Sequence, residues 1–577
     1  MTRLAPVRER RIVDVGRTHD LLLLTGVVLA SVVTYVTRLG FYSDDWAFLA
    51  VMTHADDRSI AGLIGAMSDF NVNLRMRPTQ MAYQAVLYSA FRLDPFGYHV
   101  VNALVLAAMI SLLYLVLREI RVSRPVAVSI ALVYALLPSY SADRFWFAAF
   151  GYALSMALAL GSIYTDLRAL QSAQRRIAWK ASSLLLLAAA SFGYETVIPL
   201  LIVSPVLTWL VVRRREESAA RLHGPAAVAY VLAPYLILSV AIVYKAGVDQ
   251  GSGLGSNPIF YLVRLAVGSV TVQFGSFGIG LPFAAWWSTR RLSAIGIAFG
   301  IALGMVVFVY LMAVLKGSGG FAAPRTWWRL AAAGFVVFAL GYAIFLTTAR
   351  VAFGSTGISN RTGLVAALGV ATVLVATMGL LTSRVASAAA RRIAFAASVA
   401  AVCSMGFLVI EALGEPWATS WLHQQSVLRD IRTALPDPQA GSTLILDGVC
   451  PYEGPAIVFE SSWDLAGAVQ VAYDDPTLSA DVTTSTMTVG SEGIETTVYG
   501  GPGTAAFHPY RQRLLVYDRA SGSVVVLADE RAALEYFGTR DPQGSARCPT
   551  GVPGYGELLL PADRVFLWLE ARGFRPW

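Results

Sequence analysis

Charge is what this sequence has least of. Asp, Glu, Lys and Arg make up only 14% of its 577 residues, where a soluble domain carries about 25%. That excludes ordinary globular and disordered classes, and a mean hydropathy of +0.58 makes the chain a polytopic membrane protein. Lysine is nearly missing: Lys180, Lys245 and Lys316 are all there is, so the net charge of +8 is arginine's. Such a balance does not point to nucleic acid, because cytoplasmic loops of membrane proteins collect basic residues. Cysteine is scarce, with three. Cys403 lies in an apolar run and reads as an inert small hydrophobe. Cys450 and Cys548 lie in a polar C-terminal region and can pair if it faces an oxidising compartment, although spacing does not fix a bridge. Six scattered histidines, with no HExxH and no Cys/His cluster, exclude a built-in zinc site. No solenoid repeat or low-complexity tail is visible.

What is present is a series of apolar runs with basic flanks. A spanning helix needs about 20 apolar residues. The arginine-rich Met1–Asp20 carries no small-residue cleavage site, so Leu21–Thr37 is expected to stay as the first span, with residues 1–20 cytoplasmic. Span 1 then delivers Asp44 and Asp45 outside. Residues 38–95 read as a long external loop, with Ile60–Met67 and Met81–Phe91 as helices on the membrane surface. Further spans are expected near 96–117, 126–137, 147–167, 177–192, 197–212 and 225–244, then near 292–315, 330–346, 364–381 and 393–413. Ile259–Trp287 is apolar but broken by glycines and Pro282. One full crossing there would put the basic loops 316–329 and 384–392 outside. A re-entrant, interfacial or double pass keeps them inside, so 11 or 13 spans are expected rather than 12. The multi-span domain covers 21–413. Residues 414–577 read as an extracytoplasmic α+β domain, with a helix at Ser426–Leu435, strands at Ser442–Asp447, Leu514–Tyr517 and Val524–Leu527, and a turn at Gly500–Gly503.

Under this topology, polar residues gather on one side. Asp44, Asp45, Asn73, Arg75 and Arg77 come from the first loop, Asp143 and Arg144 from the second, Glu195 from a third mouth, and Asn360 and Arg361 from a later one. A carboxylate accepts a hydroxyl proton as the oxygen attacks, and a guanidinium holds a phosphate as it leaves. The plainer readings are solvated acids at helix ends, arginines snorkelling to headgroups, and Trp46 and Trp146 as interfacial belt residues. His99 and Asn102, at i and i+3, read as interhelical hydrogen-bond formers. Glu195 resists the plain reading, since it sits between two apolar runs with no soluble loop.

Asp44-Asp45 after span 1, Arg77-Pro78 and Asp94-Pro-Phe-Gly-Tyr-His-Val-Val-Asn102 together resemble the opening of the C-type-fold (GT-C) membrane glycosyltransferases. The nearest likeness is to the protein O-mannosyltransferase families, including the branch carrying tetratricopeptide repeats. Pro138…Trp146, Tyr194-Glu-Thr-Val-Ile-Pro199 and Asn360-Arg361 continue it, so that it covers roughly residues 20–380 in order. The resemblance implies transfer of a sugar from a polyprenyl-phosphate donor with inversion at the anomeric centre. It implies Asp44 or Asp45 as base, Asp44 matching the leading acid of the pair. Asp143 would be the second-loop acid and Glu195 the acid of a Lys-Glu element, with Arg361, Arg77 and Arg144 facing the lipid phosphate. A divalent metal (Mg or Mn) at Asp44, Asp45 and Asp143 is compatible with the pattern but not required by it. The sequence departs from the family where Tyr194 replaces the lysine of Lys-Glu, where the second-loop acid is offset by one, and where no repeat array follows.

The fold expected is thus an all-α polytopic domain of 11–13 spans with a C-terminal extracytoplasmic α+β domain. The function expected is hexosyl or pentosyl transfer, in the cytoplasmic membrane, to a cell-envelope glycan, lipid or protein. Two alternatives are a lipid-linked glycan flippase and a non-catalytic assembly protein of the same fold. A flippase should carry charges through the midplane and symmetric halves, and neither is apparent.

Overall fold

The computed structural model describes residues 7–172, 174–213, 225–248, 258–317, 322–347, 353–484, 487–497 and 505–538. Among these, nine helices are long and apolar enough to cross a bilayer. Three shorter ones, Arg124–Leu136, Arg176–Ser191 and Ile198–Arg213, run between the same two faces. One face is tied by basic residues. Arg124 meets the buried Asp20 at 2.8 Å, Lys180 meets Asp166 at 2.7 Å, and Arg168 meets Glu119 at 3.4 Å. The opposite face carries the C-terminal domain.

The glycine-broken stretch does not cross. Helix Pro258–Val270 continues as a nine-residue π-helix, Thr271–Ile279, and then as Leu281–Thr289. Tyr261 donates to the Phe345 carbonyl at 2.9 Å, Gln273 to the Tyr342 hydroxyl at 3.1 Å, and Ser276 meets Ser355 at 2.9 Å. All three partners lie at the domain-bearing ends of their elements. The next helix, Ala294–Gly317, starts from that same face. It runs antiparallel to the last span, Gly300 packing on Leu408 and Gly304 on Ser404. The stretch therefore returns to the face it left. Nine long helices less this one, with the three shorter ones added, give eleven passes among the described residues.

Small residues let two spans close on each other. A Cβ on Gly369 would fall 2.3 Å from Phe338 N, and one on Gly341 would fall 2.5 Å from Ala366 N. Helices Pro324–Ala343 and Leu364–Thr382 are therefore in backbone contact, as expected where lipid gives no hydrophobic drive and packing must hold the pair. This fixes the 3-10 turn Ile358–Gly363 that precedes the second of them.

The last span is longer than its apolar run implies. Ala388–Ala434 is one helix of 47 residues, about 70 Å at 1.5 Å per residue. It runs through Pro416, and the amphipathic segment expected at 426–435 is its final turns. Beyond it stand four strands, β1 (Thr443–Asp447), β2 (Ser479–Val482), β3 (Leu514–Asp518) and β4 (Ser523–Leu527), in one sheet ordered β2-β1-β3-β4. β2, β1 and β3 are parallel, and β4 is antiparallel to β3. Three small strands, Thr488–Val489, Gly493–Thr497 and Ala505–Pro509, form a second sheet, and Tyr452–Glu453 pairs with Ala456–Ile457. The strands expected at 442–447, 514–517 and 524–527 are three of the four in the first sheet, whereas Ser479–Val482 and the strands of the smaller sheets lack a continuous apolar run and are not expected. Cys403 is buried and free. Cys548 and the Gly500–Gly503 turn lie outside the described residues, and so does the pairing of Cys548 with Cys450.

The C-terminal domain is seated on the first loop. Helix Ser462–Tyr473 packs on helix Asp44–Thr53 so closely that a Cβ on Gly467 would lie 2.5 Å from the Trp46 carbonyl. Trp46 stacks on Trp421, its ring centroid 5.9 Å away, and donates to Gln424 at 2.9 Å. The Tyr42 hydroxyl donates to the Trp417 carbonyl at 2.7 Å.

Candidate active site

The adjacent acids differ sharply in surroundings. Asp45 is fully enclosed. Its Oδ2 accepts the Tyr42 N–H at 2.8 Å and its Oδ1 accepts the Ala148 N–H at 2.7 Å, so it ties the first loop to the second. Asp44 is half-buried, at the first turn of its helix, and its carboxylate makes no hydrogen bond among the described residues. Burial pushes the Asp44 carboxyl above the ordinary carboxylate range, against the pull of the Arg361 and Arg77 guanidiniums. The turn before it is unusual. Ser43 has φ 47 and ψ −124, a conformation costly for a residue with a Cβ.

Arg77 grips Glu195 with paired contacts, Nε at 3.2 and 3.1 Å and a terminal nitrogen at 3.1 Å. The other side of Glu195 is held by Lys245, from helix Pro225–Val248, at 2.8 Å. Lys245 also donates to the Met76 carbonyl at 2.6 Å and the Gly193 carbonyl at 2.8 Å. A lysine thus meets the acid after all, from a different span than the family pattern suggests. Tyr194, which stands where that lysine was expected, stacks on Tyr152 at 3.7 Å and lies under Arg77 at 4.3 Å.

Asn360 and Arg361 divide their work. Asn360 is buried and stitches its turn to the second loop: its Oδ1 accepts from Ser141 and from the Ala142 N–H, both at 3.2 Å, and its Nδ2 donates to Pro138 at 3.3 Å and Ser355 at 2.8 Å. Arg361 is left half-buried over the Trp146 ring at 5.0 Å, donating to its own Ile358 carbonyl at 2.5 Å. Asp143 is enclosed, and neither carboxylate oxygen has a hydrogen-bond partner. Burial pushes its carboxyl well above the usual range while Arg361 and then Arg144 pull it down.

Arg77 thus contacts Glu195, the Arg361 and Arg77 charges act on Asp44, and the Arg361 charge acts on Asp143, with Asp45 next to Asp44 in the chain. Arg144 turns elsewhere. It is buried, donating to Ser31 at 3.1 Å and to the Ala135 carbonyl. Arg75 points to Ser68 and Asp69. His99 and Asn102 hold loops, bonding the Gly40 carbonyl at 3.0 Å and the Asp143 carbonyl at 2.9 Å. Among the described residues no three His, Cys, Asp or Glu side chains group closely enough to hold a metal ion, and both Asp45 oxygens accept backbone N–H groups. Sequence reasoning missed Lys245, Tyr152 and Glu460. Lys245 had a signal, being an ionisable residue in an apolar run. Glu460 had none.

No protein-family model matches the sequence, and no curated protein matches it. Among solved structures the chain is similar to ArnT from Cupriavidus metallidurans in the apo state, at 14% identity and a TM-score of 0.35, over 79% of this chain and 84% of that one. The same protein bound to undecaprenyl phosphate gives 14% identity and a TM-score of 0.36, over 79% and 84%. An Archaeoglobus fulgidus oligosaccharyltransferase tethered with an acceptor peptide gives 11% identity and a TM-score of 0.38, over 79% of this chain and 63% of that one.

Proposed function

We propose that this chain is a membrane glycosyltransferase of the C-type fold, taking a sugar from a polyprenyl-phosphate donor and using Asp44 as general base. The observation that carries the reading is a half-buried carboxylate with no hydrogen bond among the described residues, in the electrostatic field of two guanidiniums, Arg361 and Arg77, while its neighbour Asp45 is consumed by backbone N–H groups. In the reaction, an acceptor hydroxyl attacks the anomeric carbon. Asp44 takes its proton, the bond from that carbon to the phosphate oxygen breaks, and the electron pair leaves with the polyprenyl phosphate. Attack opposite the leaving group inverts the centre. Arg361 meets the charge growing on the phosphate, and Arg77 is oriented for the same task by Glu195. Asp143 offers its free oxygens to a sugar or acceptor hydroxyl. The acceptor is a cell-envelope glycan, lipid or protein, met outside the cytoplasmic membrane, the side that the basic residues of the opposite face leave for the C-terminal domain.

The test is transfer from a radiolabelled polyprenyl-phosphate sugar in membranes carrying wild-type protein, Asp44→Asn or Arg361→Ala. Loss of transfer in both variants at normal protein levels is expected. Transfer at wild-type rate by Asp44→Asn would sink the reading.

A further inference from the structure

The C-terminal domain places an acid of its own beside Asp44. Glu460, just before helix Ser462–Tyr473, is 5% exposed. Its Oε1 accepts the Ser43 hydroxyl at 2.6 Å and its Oε2 accepts the Tyr452 hydroxyl at 2.5 Å. Its own backbone is fixed in turn: the Glu460 N–H goes to Asp464 Oδ2 at 2.7 Å and the Ser461 N–H to Oδ1 at 3.1 Å. Ser43 is the left-handed residue immediately ahead of Asp44. A conformation of that kind is strained for a residue with a Cβ and persists only where its surroundings enforce it. The backbone on either side of Ser43 is held by the Tyr42 N–H bond to Asp45 at 2.8 Å and by Trp146 Nε1 on the Tyr42 carbonyl at 2.9 Å, and the Ser43 side chain is held by Glu460, with a long contact from Trp463 Nε1 at 3.5 Å.

We propose that Glu460 is a positioning residue for Asp44, acting from the C-terminal domain through the Ser43 hydroxyl to fix the turn from which the base projects. The C-terminal domain would then be part of the catalytic apparatus rather than an acceptor-binding appendage. This rests on the reading of Asp44 as base.

Glu460 acts on Asp44 as an anchor and not as a charge. The groups acting on Glu460 are Ser43, Asp44, Arg361, Tyr452 and Asp464. Burial first, then Asp44, pushes its carboxyl up to about 7, against the Ser43 hydrogen bond and Arg361. Asp44 therefore loses its proton first, and Glu460 holds the Ser43 hydroxyl while itself neutral.

Three variants of the full-length protein separate these effects, each purified monodisperse in detergent and assayed with a polyprenyl-phosphate sugar across pH. Glu460→Gln keeps an acceptor for Ser43 and carries no charge. Its kcat and the acid limb of its kcat/KM profile should stay close to wild type, the conservative change rescuing what the next variant loses. Glu460→Ala removes the anchor and should lower kcat at least about tenfold with little change in donor KM. Ser43→Gly removes the anchor while relieving the left-handed strain, so it should fold and still lose kcat. Wild-type kcat in both anchor-removing variants, or a loss in Glu460→Gln as large as in Glu460→Ala, would overturn the proposal if Asp44→Asn is inactive in the same assay. An active Asp44→Asn would overturn the reading of the base itself.

Discussion

Replacing Asp45 by asparagine should damage stability far more than replacing Asp44. One Asp45 carboxylate closes two backbone N–H groups, from Tyr42 at 2.8 Å and Ala148 at 2.7 Å, in a fully enclosed site. Asparagine supplies a single carbonyl, so its NH2 must face one of those donors. A charge-assisted bond of about 1.5–3 kcal/mol is lost and a buried donor is stranded at about 1–3 kcal/mol, together about 2.5–6 kcal/mol. Asp44→Asn breaks no hydrogen bond and should stay within about 0.5 kcal/mol of wild type, while losing about 10²–10⁴-fold in transfer. Polytopic proteins unfold irreversibly, so the assay is the midpoint of heat inactivation at a fixed scan rate, read as monodisperse protein remaining. Asp45→Asn should fall several degrees and Asp44→Asn should not move. Equal midpoints for Asp45→Asn and wild type would refute the pinning argument. An inactive Asp45→Asn beside a fully active Asp44→Asn would make Asp45 the base.

Three further outcomes are expected. Because the Asp44 carboxyl is pushed up by burial, it is deprotonated, and competent as a base, only above that raised value. The acid limb of kcat/KM should therefore lie above the ordinary carboxylate range, near 4, and a limb at or below 4 would contradict this. Lys245→Met leaves the Met76 and Gly193 carbonyls without their donor and Glu195 with Arg77 alone. It should cost about 2–4 kcal/mol, seen as a lower heat-inactivation midpoint. Gly467→Ala places a Cβ 2.5 Å from the Trp46 carbonyl and must push the C-terminal helix off the Asp44 helix. Transfer should fall at least about tenfold, with faster proteolysis at the junction, and a fully active variant would show that the two helices need not touch.

Much of the membrane domain was legible in the sequence because a span announces itself within its own residues. About 20 apolar residues with basic flanks suffice, and the eleven passes follow runs such as Pro95–Glu119 and Ala294–Gly317. The glycine-broken stretch was legible only through charge, since carrying it across would have put the basic loops on the wrong side. Composition also marked which loops hold carboxylates and arginines. It did not say which of Asp44 and Asp45 would be spent on backbone, because the donors lie one turn before and about a hundred residues after. Nor did it place Lys245 on Glu195, or Glu460 on Ser43, a pair 417 residues apart. Local apolarity determines where the chain crosses the bilayer. Partners for buried polar groups are chosen only when packing brings distant backbone together, and the tertiary structure alone decides that.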